Sequence, residues 1–224
     1  MQNQFPTVTR AHLDSILETN SVIKNTYILL GASLSFSALT AYLAMITNAK
    51  GLGLATILIY FGLFFLINAT KNSVWGIVSV FAFTGFMGYT LGPMLNMYLY
   101  TFANGKELIF TALGGTGIIF FALSGYALRT RTDFSYLGGF MMAGMIVLML
   151  AVLIQIFKPM PVLQLAISGG FMLFSAGAIL FETSQIIHGG QRNYIMATVQ
   201  IFVSLYNLFI SLLQLLSFFA GRRD

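Results

Sequence analysis

Charged residues are so sparse here, and so regularly placed, that they work as punctuation. After Lys24 the next charge is Lys50, then Lys71, then the adjacent pair Lys106 and Glu107. Arg129, Arg131 and Asp133 follow as a cluster, then Lys158, Glu182, Arg192 and the terminal Arg222, Arg223 and Asp224. A helix rises 1.5 Å per residue, so ~20 apolar residues cross a ~30 Å hydrocarbon core. Each long gap between charges is sufficient for one crossing. Only 8% of the 224 residues are charged and 58% are hydrophobic, whereas water-facing domains carry about 25% charge. Such a chain cannot coat an aqueous surface, and lipid must cover most of its exterior.

The punctuation predicts an all-α polytopic membrane protein, a bundle of seven transmembrane helices at about 26–47, 51–70, 74–100, 107–128, 134–157, 162–188 and 194–220. Six spans plus one re-entrant segment is the alternative count. The expected organisation is a polar tail over 1–24, one membrane domain over 25–220 and a short charged tail over 221–224. The tail lacks the apolar run and cleavage site of a signal peptide. It is expected to be mostly disordered, with a short surface helix over Ala11 to Ile23 as the other reading.

Net charge is +5, spread one or two residues per loop, which makes no face for nucleic acid. With seven spans, six basic residues fall on the amino-terminal side and five on the other, close to a tie under the positive-inside rule. The Arg129–Arg131 cluster tips the balance toward a cytoplasmic amino terminus. Cysteine is absent, which removes disulfides, thiolate metal sites and thiol nucleophiles. No metal site and no cofactor are expected.

Small residues in the spans forecast close helix packing, since helices in lipid gain little hydrophobic drive from touching each other. Ser33, Ser37 and Thr40 form one stripe, and Gly85, Gly88 and Gly92 another. Gly92-Pro93 falls late in its apolar stretch. Proline removes a backbone donor and crowds the preceding turn, so a kink or break is expected there, or else a simple helix end.

Glu182, in SAGAILFETSQIIHGG, is the one charged residue inside a predicted span. It lies about seven residues, ~10 Å, before the Gly189-Gly190 end. Intramembrane carboxylates face the bundle interior and mark relays, ion sites or gates; the plainer alternative is a helix–helix hydrogen bond. Candidate donors are Arg129, Arg131, Arg192, Gln200, Ser204 and Asn207. His188 ends the same helix, on a different face from Glu182, and reads as an interfacial histidine whose charge could change near neutral pH. Enzyme readings fare poorly. Ser124 in FALSGYAL has no histidine within a span to serve as its base, the only two being His12 and His188. A lone membrane carboxylate excludes an aspartyl dyad, and no nucleotide or zinc-protease motif occurs.

The strings AFTGFMGYTLGPML, LGGTGIIFFALSGYALRTRTDFSYLGGFMMAG, GAILFETSQIIHGG and YNLFISLLQLL, in this order, resemble the Bax inhibitor-1 family from about residue 20 onward. The resemblance implies a multi-pass protein of the bacterial inner (plasma) membrane and two functions. The bacterial members it resembles most associate with the membrane-anchored AAA protease FtsH and modulate its degradation of membrane proteins. The wider family includes pH-sensitive calcium-leak channels, closed by a pair of acids on the last two helices. Glu182 falls at the first acid; the second is replaced by Ser204, while Asn207 matches a family asparagine. Two carboxylates can share a proton and raise one pKa. A glutamate facing a serine loses that coupling and offers a cation such as Ca2+ fewer charged oxygens. The protease-modulator reading is therefore preferred over cation passage.

Overall fold

A computed structural model describes the backbone of residues 5–221 and the side chains from residue 17 onward. Seven helices follow in order: α1 Phe5–Ile46, α2 Ala55–Thr70, α3 Trp75–Thr101, α4 Gly105–Thr130, α5 Leu137–Phe157, α6 Pro161–Ile187 and α7 Tyr194–Ala220. The described residues contain no strand. Six of the helices are long and apolar enough to cross a membrane. The seventh, α2, has 16 residues, about 24 Å by helix rise. It starts later than the charge spacing suggests because the preceding linker turns through Asn48 and Gly53, both at positive φ.

Backbone chemistry explains the other ends. Arg131 closes α4 in the left-handed conformation, its N–H donating to the Ala127 carbonyl. Gly189, at φ +75°, turns the chain out of α6, as glycine can do without a steric penalty. Pro161 opens α6, where a missing N–H costs nothing. Asn193 caps α7, its side-chain oxygen accepting from the N–H groups of Ile195 and Met196 at 3.0 and 3.1 Å.

Two expectations need correction. The polar tail is not separate from the first span: α1 runs unbroken from Phe5 through residue 24 and on to Ile46. Adding turns to an existing helix avoids the nucleation cost, and no glycine or proline lies between Thr7 and Asn25 to stop it. Residues 1–4 of that tail, and 222–224 of the carboxyl-terminal one, lie outside the described residues. Nor do Gly92 and Pro93 break or end a helix, which leaves a kink as the one of the three expected outcomes compatible with α3. Pro93 sits inside α3, which continues to Thr101. The proline deprives one carbonyl of its partner, a loss that a packed membrane helix absorbs.

Gly92 instead serves close approach. A Cβ there would collide with Ala44 of α1, and one at Gly88 with the Ser37 carbonyl and the Thr40 hydroxyl. The two small-residue stripes thus face each other, with α1 and α3 parallel and their backbones nearly touching. Asn96 extends the seam by donating to the Met45 carbonyl at 3.0 Å.

The last helix, α7, occupies the centre and packs against α1, α2, α3, α4 and α6. Ile195, Val199, Phe202 and Leu208 on it are almost wholly buried, joined by Leu30, Ile67, Phe83 and Ile179 from the surrounding helices. Helix α5 is peripheral: among the described residues it packs on α6 alone. Most of its large apolar side chains, Phe140, Ile146 and Phe157 among them, point outward, as expected of a lipid-covered helix.

Candidate functional site

The central pair α6 and α7 is antiparallel and unusually polar along its seam. On α7, Gln200, Ser204, Asn207, Ser211 and Gln214 recur at alternating steps of four and three, which keeps them on one face. Gln164, Ser168, Ser175 and Glu182 fall on the matching stripe of α6. Three links tie the two. Near one membrane face, the Gln214 side-chain oxygen accepts from Gln164 Nε2 at 3.3 Å and from the Ser168 hydroxyl at 2.7 Å. Further along, the Ser204 hydroxyl reaches the Glu182 carboxyl at 3.4 and 3.5 Å. At the other face, Gln191, in the loop that continues α6, donates to Gln200 at 3.1 Å.

Of the six donors proposed for Glu182 from sequence, only Ser204 reaches it. That contact is long and divided, because the same hydroxyl lies 3.1 Å from the Gln200 carbonyl and has one proton to give. Arg129 and Arg131 are exposed at the end of α4. Arg192 donates to the Gly189 carbonyl at 3.3 Å and sits 4.0 Å from Glu18, an exposed pair of little energetic weight. Asn207 lines a separate cavity with Gln164 and Gln214. Glu182 is therefore a half-buried carboxyl with no cation among the described residues and one weak donor. The described residues contain no group of three His, Cys, Asp or Glu suited to a metal. The Ser124 hydroxyl has no hydrogen-bond partner among them.

His188 does more than mark an interface. Its Nδ1 lies 2.9 Å from the Ser184 carbonyl and its Nε2 3.1 Å from the Arg131 carbonyl. The Ser184 hydroxyl accepts from the Phe134 N–H at 2.9 Å, and Gln185 donates to Ser135 at 3.1 Å. The end of α6 thus holds the loop joining α4 to α5. Within that loop, hydrogen bonds from the Ser135 side chain and N–H hold the Asp133 carboxyl below the usual carboxylate range, with His188 adding a smaller electrostatic pull.

Sequence reading missed the Gln164–Ser168–Gln214 cluster and the Asn193 junction, where Nδ2 donates to the Lys71 carbonyl at 2.9 Å and to Asn72 at 3.0 Å. The four-and-three recurrence of polar residues on α7 was the available signal for the first. The second joins loops 121 residues apart or more and leaves no local trace.

Comparison with known proteins places this polar seam in a family. The family described as "Inhibitor of apoptosis-promoting Bax1" matches residues 19–221. An Escherichia coli protein named "Modulator of FtsH protease YccA" is 52% identical over 205 residues, covering 91% of this chain and 93% of its own. An uncharacterized protein of Pseudomonas aeruginosa is 53% identical over 205 residues, covering 91% and 92%. A Vibrio cholerae protein, "Uncharacterized membrane protein", is 44% identical over 220 residues, covering 94% and 96%. With a family match over nearly its whole length and relatives of this identity, the chain belongs to the Bax inhibitor-1 family.

Proposed function

We propose that this chain is a non-catalytic, multi-pass protein of the bacterial inner membrane that binds the protease FtsH and restrains its degradation of membrane proteins. The observation that carries the reading is the 52% identity, over 91% of the chain, to a protein named as a modulator of FtsH. The architecture supports it. The linkers between α2 and α7 are short, so outside the bilayer a partner finds chiefly the polar amino-terminal turns of α1 to grip, and docks mainly on lipid-facing helices. We further propose that α2 crosses as a seventh span. It leads from the end of α1 to a junction where Lys71 and Asn72 meet Asn193 at the start of α7, which puts its two ends at opposite faces of the bundle. The amino terminus is then cytoplasmic, on the side holding Arg129, Arg131 and Arg192.

Cation passage has less behind it. The Glu182 carboxyl faces the Ser204 hydroxyl and no second carboxylate, so no charged pair closes round a Ca2+ ion.

The test is proteolysis in reconstituted membranes. In proteoliposomes holding FtsH, ATP and a membrane substrate, adding this chain should slow substrate loss in proportion to its ratio to FtsH. An unchanged rate with well-folded chain present would refute the restraining role.

A further inference from the structure

A cavity of about 350 Å³ lies within the membrane-spanning part of the bundle, walled by α5, α6 and α7. That volume is at the lower end of small-ligand sites. Its polar lining consists of Gln155, Gln164, Gln214, Asn207 and Ser211, and no charged side chain contributes. The cavity runs from near one membrane face, where α5 ends and α6 begins, to Asn207, 13 residues or ~20 Å from the end of α7. Because α5 packs on α6 alone among the described residues, no α5–α7 contact closes its side toward lipid.

The hydrogen-bond ledger of this cavity is incomplete. Ser211 is only 3% exposed, and its hydroxyl has no partner among the described residues; the Asn207 amide has none either. Gln214 spends its oxygen on Gln164 and Ser168, leaving its amide N–H groups free, and Gln155 spends its oxygen on the Met160 N–H. Donors and acceptors thus line one cavity inside the bilayer, where unmet polar groups are costly. An acyl chain could not satisfy them. An ion would find no countercharge, and a bare charge at this depth is costlier still. The occupant must be neutral and rich in oxygen.

We infer that the cavity binds an uncharged ligand bearing neighbouring hydroxyl or ester oxygens: the glyceryl part of a neutral lipid entering between α5 and α7, or a free polyol of the same chemistry. Asn207 and Ser211 hold its inner oxygens, and the amide groups of Gln155 and Gln214 its outer ones.

The test uses the full chain in mild detergent, titrated with a diacylglycerol, with glycerol and with phosphatidate, and followed by native mass spectrometry. Retention of diacylglycerol in preference to phosphatidate is expected. Asn207→Leu and Ser211→Ala should each weaken it roughly tenfold, the effect of losing about one buried hydrogen bond. Ser211→Thr, which keeps the hydroxyl, should retain binding, and unchanged thermal melts show that the variants are folded. A lipid source is indicated if glycerol competes only at great excess, a free polyol if glycerol binds equally well. Failure to retain either probe, a preference for phosphatidate, or equal binding by wild type and both polar-to-apolar variants would overturn the assignment.

Discussion

Gly88→Leu is expected to destabilise the protein by about 3 kcal/mol, at the upper end of overpacking effects. The seam between α1 and α3 leaves no room for any side chain at that position: the first added carbon collides with the Ser37 carbonyl and the Thr40 hydroxyl. Backbone cannot swing aside as a flexible side chain can, so two parallel helices must separate. Thr40 would also lose its own bond to the Ser37 carbonyl, now 2.9 Å long. Gly117 provides the control. A Cβ there meets nothing within 4 Å, so Gly117→Ala should shift stability by no more than ~0.5 kcal/mol. Unfolding free energies from SDS titration of the detergent-solubilised protein would check both. Equal effects at the two glycines would mean that α1 and α3 do not meet as described.

Asn193→Ala is expected to cost about 2–3 kcal/mol. This one side chain caps α7 through its oxygen and fastens the Lys71–Asn72 turn through its nitrogen. Loss of an N-cap costs about 1 kcal/mol, and each hydrogen bond to the turn is worth about 1 more. Asn193→Asp separates the two contributions, since a carboxylate keeps the capping acceptor and loses both donations; it should show the smaller loss. The same titration applies, joined by hydrogen exchange at residues 70–74, which should quicken in both variants. Loss of the cap alone, with exchange at the turn unchanged, would mean that Asn193 does not bind it.

What was legible in the sequence was whatever lipid dictates. Charges mark the ends of spans because they are excluded from hydrocarbon, so the bounds of α6 and α7 follow almost to the residue from Lys158, Arg192 and the terminal arginines. Small residues at helical spacing announced close packing on α1 and on α3 for the same reason, though not that the two stripes pack on each other. The reading failed where the local signal was true but outweighed. Pro93 does weaken a helix, yet α3 has enough neighbours to carry on through it. The residues from Phe5 to Ile23 are largely polar, yet they continue the helix that becomes the first span.

At the candidate site, the resemblance paired Glu182 with Ser204, and the structure places them together. The donors offered by charge alone did not arrive. Arg129 and Arg131 lie at the end of α4, and a guanidinium gains more from water there than from a half-buried carboxyl inside the bundle. The cavity beside Asn207 was invisible for a different reason: it is a volume left between three helices, and no single segment encodes it.

The central claim, that this chain binds FtsH within the membrane, is tested most directly by co-purification. Native membranes are solubilised in mild detergent, the tagged chain is captured, and FtsH is quantified against wild type, Glu182→Gln and a deletion of residues 2–20. FtsH should come down with wild type, and it should persist with Glu182→Gln, whose change lies on the inner α6–α7 seam and leaves the lipid-facing helices intact. A folded, monodisperse chain that recovers no FtsH would contradict the assignment.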